Sequence, residues 1–200
     1  MEPSLYLADV AFFNGKLYGV AFDNKLVVFE IDYDLGRKLK ISATECIINS
    51  VDDLRDQPQS LSSEEVYTEM EYLVQCCGRL LLVIRFIHND CSRSRSEHHR
   101  TVAFEVFEAD LSTNPGQWRQ INKLGGQALF VGKHCSKSFT SEEYNGVQED
   151  CIYFMCDYLQ PIYAVDPLCD SGVYKMRNGM ITPLLSQTAA VPQPSVTTVE

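Results

Sequence analysis

The stretch Phe12–Asp32, FFNGKLYGVAFDNKLVVFEID, decides the architecture. It parses as the end of an apolar run (DVAFF), an Asn14-Gly15 turn, the run KLYGV, a short Asp23-Asn24 turn and the run KLVVFEI. Asn-Gly suits a two-residue hairpin because both central positions take positive φ with little strain. In the last run Val27, Phe29 and Ile31 share one face, and Val28 and Glu30 share the other. Period two with one largely apolar face marks a strand. RKLKISATECII, from Arg37, continues the basic-apolar alternation and predicts a fourth strand.

The same order then returns as EYLVQ, a turn at Cys77-Gly78, RLLLVIRF, TVAFEVFEADL and QWRQINKL. Gly78 aligns with Gly15, Arg79 with Lys16 and Leu80 with Leu17; Phe107-Glu108 aligns with Phe29-Glu30, and Asp110 with Asp32. The glycine-to-phenylalanine separation grows from 14 residues (15 to 29) to 29 (78 to 107). Polar Asn89–Arg100 supplies the excess, and is predicted to be an exposed loop. A third, less regular unit runs from ALFVG after Gly125-Gly126, through a Ser-rich segment, to CIYFM and then GVYKM with Asn178-Gly179. Ser141–Asn145 is predicted as a single helical turn capped by Ser141. The acidic segment SVDDLRDQPQSLSSEEVYTE reads as an exposed connection with a short helical piece.

Four-stranded sheets in series predict an all-β chain, a partial β-propeller built from repeated four-stranded antiparallel blades. A sandwich of the same strands is the alternative. At about 40–45 residues per blade the chain holds about three to four. That is short of a usual closed ring, so an open arc is expected, with an edge strand near Ala8–Phe13 whose apolar side chains a preceding blade would cover. Residues 1–185 form this domain. Residues 186–200, interrupted by Pro192 and Pro194, are expected to be a disordered tail.

The net charge of -10 argues against a general phosphate-backbone binder, so no nucleic-acid partner is expected. No membrane partner is expected either, because no apolar N-terminal segment is long enough to span a bilayer and no signal-peptide pattern precedes the repeats. A cytoplasmic or nuclear location follows as an expectation. The eight cysteines lie mostly in or beside apolar runs, and read as free buried thiols.

Several residues invite a chemical reading. His88, Cys91, His98 and His99 have zinc-ligand chemistry but no Cys-x-x-Cys pair, and read as ordinary loop residues. Ser92, Ser94 and Ser96 among Arg93, Arg95 and Arg100 could accept phosphate, but short Ser-Arg runs are common. The same arginines lack interleaved aromatics for base stacking. Adjacent His134 and Cys135 point apart in an extended segment and have no third orienting group. Trp118 alternates with Arg119, so a strand would bury the indole and expose the guanidinium. Gly78, Gly125 and Gly126 suit turns rather than a phosphate loop. The chain is therefore assigned no catalytic, cofactor-binding or metal residues.

AFFNGKLYGVAFDNKLVVFEID, YLVQCCGRLLLVIRF, FEVFEADL, GQWRQINKLGGQALFVG, NGVQEDCIYFMCD and GVYKMRNG, in this order over Asp9–Met180, resemble the plant F-box-associated, kelch-like β-propeller family, the KIB-type domain of unassigned general function. The resemblance implies a propeller that, in full-length members, follows an N-terminal F-box. There the F-box docks the adaptor subunit of a cullin-type ubiquitin ligase and leaves the propeller as substrate receptor. This chain runs from MEPS straight into LYLADVAFF, so it is read as lacking its own F-box and as a non-catalytic scaffold with an unknown protein partner. The alternatives are a truncated product without independent activity and an enzyme using an unrecognised propeller-face pocket. After IYF the family carries an acidic pair, where this chain reads Met155-Cys156-Asp157 and retains one carboxylate.

Overall fold

The computed structural model describes residues 6–33, 39–51, 67–89, 99–140, 142–157 and 170–184, in which the secondary structure is entirely β. The first sheet is a meander of β1 (Leu7–Phe13), β2 (Lys16–Ala21), β3 (Leu26–Tyr33) and β4 (Leu39–Ile48). The second repeats it with β5 (Tyr67–Cys76), β6 (Arg79–Asn89), β7 (His99–Asp110) and β8 (Gln117–Gln120). Both hairpins close on a two-residue turn whose residues all have positive φ: 46° and 76° at Asn14-Gly15, 46° and 73° at Cys77-Gly78. Such turns match the right-handed twist of the strands they join.

The third sheet departs from the expected four antiparallel strands. It comprises β9 (Gln127–Val131), β10 (Lys137–Thr140), β11 (Cys151–Phe154), β12 (Gly172–Lys175) and β13 (Met180–Pro183), in the order β10-β9-β11-β12-β13. The Ser-rich segment itself forms β10, a hairpin partner on one edge of β9. β11 must then cross to the other edge, and it pairs there in parallel, Cys151 opposite Ala128. The predicted helical turn is instead a hydrogen-bonded turn one residue earlier. Thr140 Oγ1 accepts the Glu143 N–H at 3.2 Å, and the Glu143 carboxylate accepts the Thr140 N–H at 3.2 Å. This is a reciprocal capping box with no helix behind it.

Two further expectations change. Asn89 belongs to β6 and His99 and Arg100 to β7, so the polar segment begins and ends as strand. Cross-strand polar contacts support this: Asn89 Oδ1 meets His99 Nδ1 at 2.7 Å, and Asn89 Nδ2 donates to Thr68 Oγ1 at 2.9 Å. Cys76 and Cys151 are buried free thiols, but Cys46, Cys77 and Cys135 are exposed free thiols, on an outer strand, in a turn and in a loop. The predicted tail and residues 52–66 of the acidic connection lie outside the described residues, while the last three residues of that connection, Tyr67, Thr68 and Glu69, already belong to β5.

Packing follows the repeat. One core cluster, including Phe13, Tyr18, Val20, Leu26, Leu73, Leu82 and Phe107, lies between the first and second sheets. The other, including Val74, Leu81, Val83, Phe104, Leu129 and Ile152, lies between the second and third. β6 serves both, with Leu80, Leu82 and Ile84 on one side and Leu81 and Val83 on the other, which explains its unbroken apolar run. A shift of 63 residues carries Ala11, Phe13, Tyr18 and Val20 onto Val74, Cys76, Leu81 and Val83, each facing the sheet that follows. Among the described residues no strand of the first sheet pairs with one of the third. On the face of the first sheet turned away from the second, Val10, Phe12, Ile31 and Ile41 are exposed.

Candidate functional site

Alternation along RLLLVIRF puts Arg85 on the face of Leu81 and Val83, against the third sheet, and the side chain is wholly buried. A buried guanidinium needs partners for its donors and its charge. Nε donates to Thr101 Oγ1 at 2.8 Å. Nη1 donates to Asp157 Oδ1 and to the Met155 carbonyl, both at 2.9 Å, and Nη2 donates to Asp170 Oδ2 at 2.9 Å. The guanidinium carbon also sits 4.7 Å from the Phe154 ring centroid.

The acceptors are held in turn. Asp170 receives the Thr101 N–H at 3.0 Å and its hydroxyl at 2.6 Å. Asp157 receives the Tyr72 hydroxyl at 3.1 Å and the Lys133 N–H at 2.8 Å. Burial pushes the Tyr72 hydroxyl well above its ordinary pKa, so it acts as a neutral donor. For Arg85 burial opposes the charge, yet Tyr72, Asp170 and Asp157 outweigh it and hold the pKa above its usual value. Tyr72, Arg85 and Thr101 come from the second sheet, and Met155, Asp157 and Asp170 from the segments just after β11 and just before β12 of the third. The network is a polar lock between sheets. Asp157 is the carboxylate after IYF that meets Arg85, and Met155 joins through its backbone carbonyl.

The accessible feature lies along β1, β5 and β10. Each is an edge strand of its sheet, and β5 neighbours both others. Asp9 Oδ2 accepts the Leu73 N–H at 2.8 Å, and Ser138 Oγ donates to the Gln75 carbonyl at 3.0 Å, stitching the three together. Between them opens a groove of about 760 Å³, with Leu73 and Gln75 at its floor, Val10 and Phe12 on one wall and His134 and Lys137 on the other. Its size is typical of binding clefts.

The other weighed residues stay apart. His134 and Cys135 line the groove from an exposed turn, and among the described residues no hydrogen bond joins them. His88 packs on the Tyr67 ring at 5.6 Å and His99 binds Asn89. Cys91, His98, the three serines, Arg93 and Arg95 lie outside the described residues. Among the described residues no three His, Cys, Asp or Glu side chains gather to hold a metal. Trp118 is buried and donates to the Asn24 carbonyl at 3.0 Å, joining the first two sheets, while Arg119 is exposed and pairs with Asp110 at 2.6 Å. Gly78, Gly125 and Gly126 take φ of 73°, 72° and 80°. Gly78 lies in a hairpin turn, and Gly125 and Gly126 directly precede β9.

Successive sheets packed face to face about three inner edge strands are the arrangement of propeller blades. The KIB1-4 beta-propeller family profile matches residues 2–175. The chain belongs to that family. Among curated proteins this family member is 26% identical over 99 residues to "Putative F-box protein At1g65770" of Arabidopsis thaliana, covering 47% of this chain and 27% of that protein. It is 30% identical over 83 residues to "F-box protein At2g26160" of the same plant, covering 42% of this chain and 24% of that protein. The chain thus spans about a quarter of the length of the curated relatives it matches. No solved structure matches significantly. No helix of the described residues is long and apolar enough to cross a membrane.

Proposed function

We propose that this chain is a non-catalytic protein-interaction scaffold, comparable to the substrate-receptor propeller of F-box proteins. Membership of the propeller family, with similarity to two F-box proteins, carries the reading. The groove along the inner strands supports it with an accessible, mixed apolar and polar surface. The buried ionisable groups weigh against the enzyme alternative: Arg85, Asp157, Asp170 and Tyr72 bond one another rather than line the groove. Adaptor docking, on the family resemblance, belongs to the helical F-box of longer relatives.

The test is calorimetry with purified adaptor subunit. The 200-residue chain is expected to give no complex, and a fusion carrying an F-box ahead of it is expected to bind. Micromolar or tighter binding by the chain alone overturns this division of labour.

A further inference from the structure

The inner edges of the first two sheets are not equally occupied. In each hairpin the pair flanking the turn, Phe13 with Lys16 and Cys76 with Arg79, closes the ladder. Hydrogen-bonded residues then alternate back along the strand. The complementary residues, Val10 and Phe12 on β1 and Leu73 and Gln75 on β5, turn their backbone groups to the free edge. On β5 that edge is taken, the Leu73 N–H by Asp9 and the Gln75 carbonyl by Ser138. On β1 the Val10 N–H is held by Asp9 Oδ1 at 2.8 Å. The Val10 carbonyl and both backbone groups of Phe12 remain on an edge that pairs with no strand among the described residues.

The far wall of the groove carries a basic side chain, Lys137, on a chain that is acidic as a whole. Among the described residues Asp9 is the one acidic side chain lining the groove, and both its oxygens accept backbone N–H groups. His134 and Lys137 stand on the far wall, on a chain of net charge -10. The exposed Val10 and Phe12 side chains supply apolar surface beside the open edge.

We propose that the Val10–Phe12 edge takes an extended protein segment, added as a strand, in which acidic residues alternate with apolar ones. Every second side chain of such a strand lies over the Val10 and Phe12 face, and the intervening ones turn toward β5 and the His134–Lys137 wall. The proposal rests on the interaction-scaffold reading and names the chemistry of its partner.

The probe is a fluorescein-labelled seven-residue peptide alternating glutamate with valine, compared by anisotropy with its lysine-for-glutamate counterpart. The glutamate peptide is expected to saturate the chain, and the lysine peptide to bind at least about tenfold more weakly. Phe12→Pro deletes an edge N–H that serves no ladder bond, and Lys137→Glu reverses the facing charge. Each is expected to weaken the glutamate peptide about tenfold with the thermal midpoint unchanged. Absence of saturable binding, equal affinity for both peptides, or indifference to both substitutions overturns the proposal. So does self-association of the chain that Phe12→Pro abolishes, because the occupant is then a second copy. Failure here leaves the receptor reading intact, since that reading does not fix the chemistry of the partner.

Discussion

Val10 and Leu73 hold the same place in successive repeats, yet Leu73 is 3% exposed and Val10 is 49% exposed. They differ in neighbours, not in local structure. Leu73 packs in the core between the first two sheets, whereas among the described residues no sheet packs on the equivalent face of the first. Leu73→Ala is therefore expected to cost about 2–5 kcal/mol. Val10→Ala should cost less than about 1 kcal/mol, the range of strand propensity. Urea unfolding of both variants checks this. Equal losses would show that the Val10 face is covered in solution.

Arg85 supports a second contrast. Arg85→Met leaves Asp157 and Asp170 buried or half-buried without their cation, and is expected to cost about 3–5 kcal/mol. Adding Asp157→Asn and Asp170→Asn removes the stranded charges and should recover part of that loss. The damage should sit between the second and third sheets. Hydrogen exchange should quicken first in β11 and β12, while Trp118, the chain's one tryptophan, keeps its buried emission until global unfolding. An Arg85→Met variant as stable as the parent would show that the lock contributes nothing net.

The first two sheets are legible in the sequence because their information is local. Asn14-Gly15 and Cys77-Gly78 specify turns, and the alternation around them specifies faces and, through the turn, register. The third sheet could not be read that way. Alternation marks β9 and β11 as strands, but says nothing of β10 folding against one edge of β9 and sending β11 to the other. The lock was hidden for a related reason. Tyr72, Arg85, Thr101, Asp157 and Asp170 are scattered along the chain, and the one local sign was an arginine at a core-facing position of β6. The strand ends of Asn89–Arg100 are not legible in the same way, because polarity suggests a loop whereas Asn89 and His99 satisfy one another across a ladder.

Asp9 gives the last expectation, and its sign is specific. Burial raises its pKa, and the N–H groups of Leu73 and Val10 oppose that shift without cancelling it. The folded chain thus holds the Asp9 proton more tightly than the unfolded chain, whose aspartate titrates near about 3.9. In the window between those two values the folded state binds more protons. The contribution of Asp9 to stability then falls as pH rises from about 3.9 through the folded value, and is constant above it. Asp9→Asn cannot titrate and keeps a carbonyl oxygen for Leu73. Its stability relative to the parent should improve as pH climbs through that window and then level off, read by urea unfolding at matched pH from about 3.5 to 6.5. A variant that instead loses ground with rising pH would show that the two N–H bonds outweigh burial, making the Asp9 carboxylate a net stabiliser of the junction between β1 and β5.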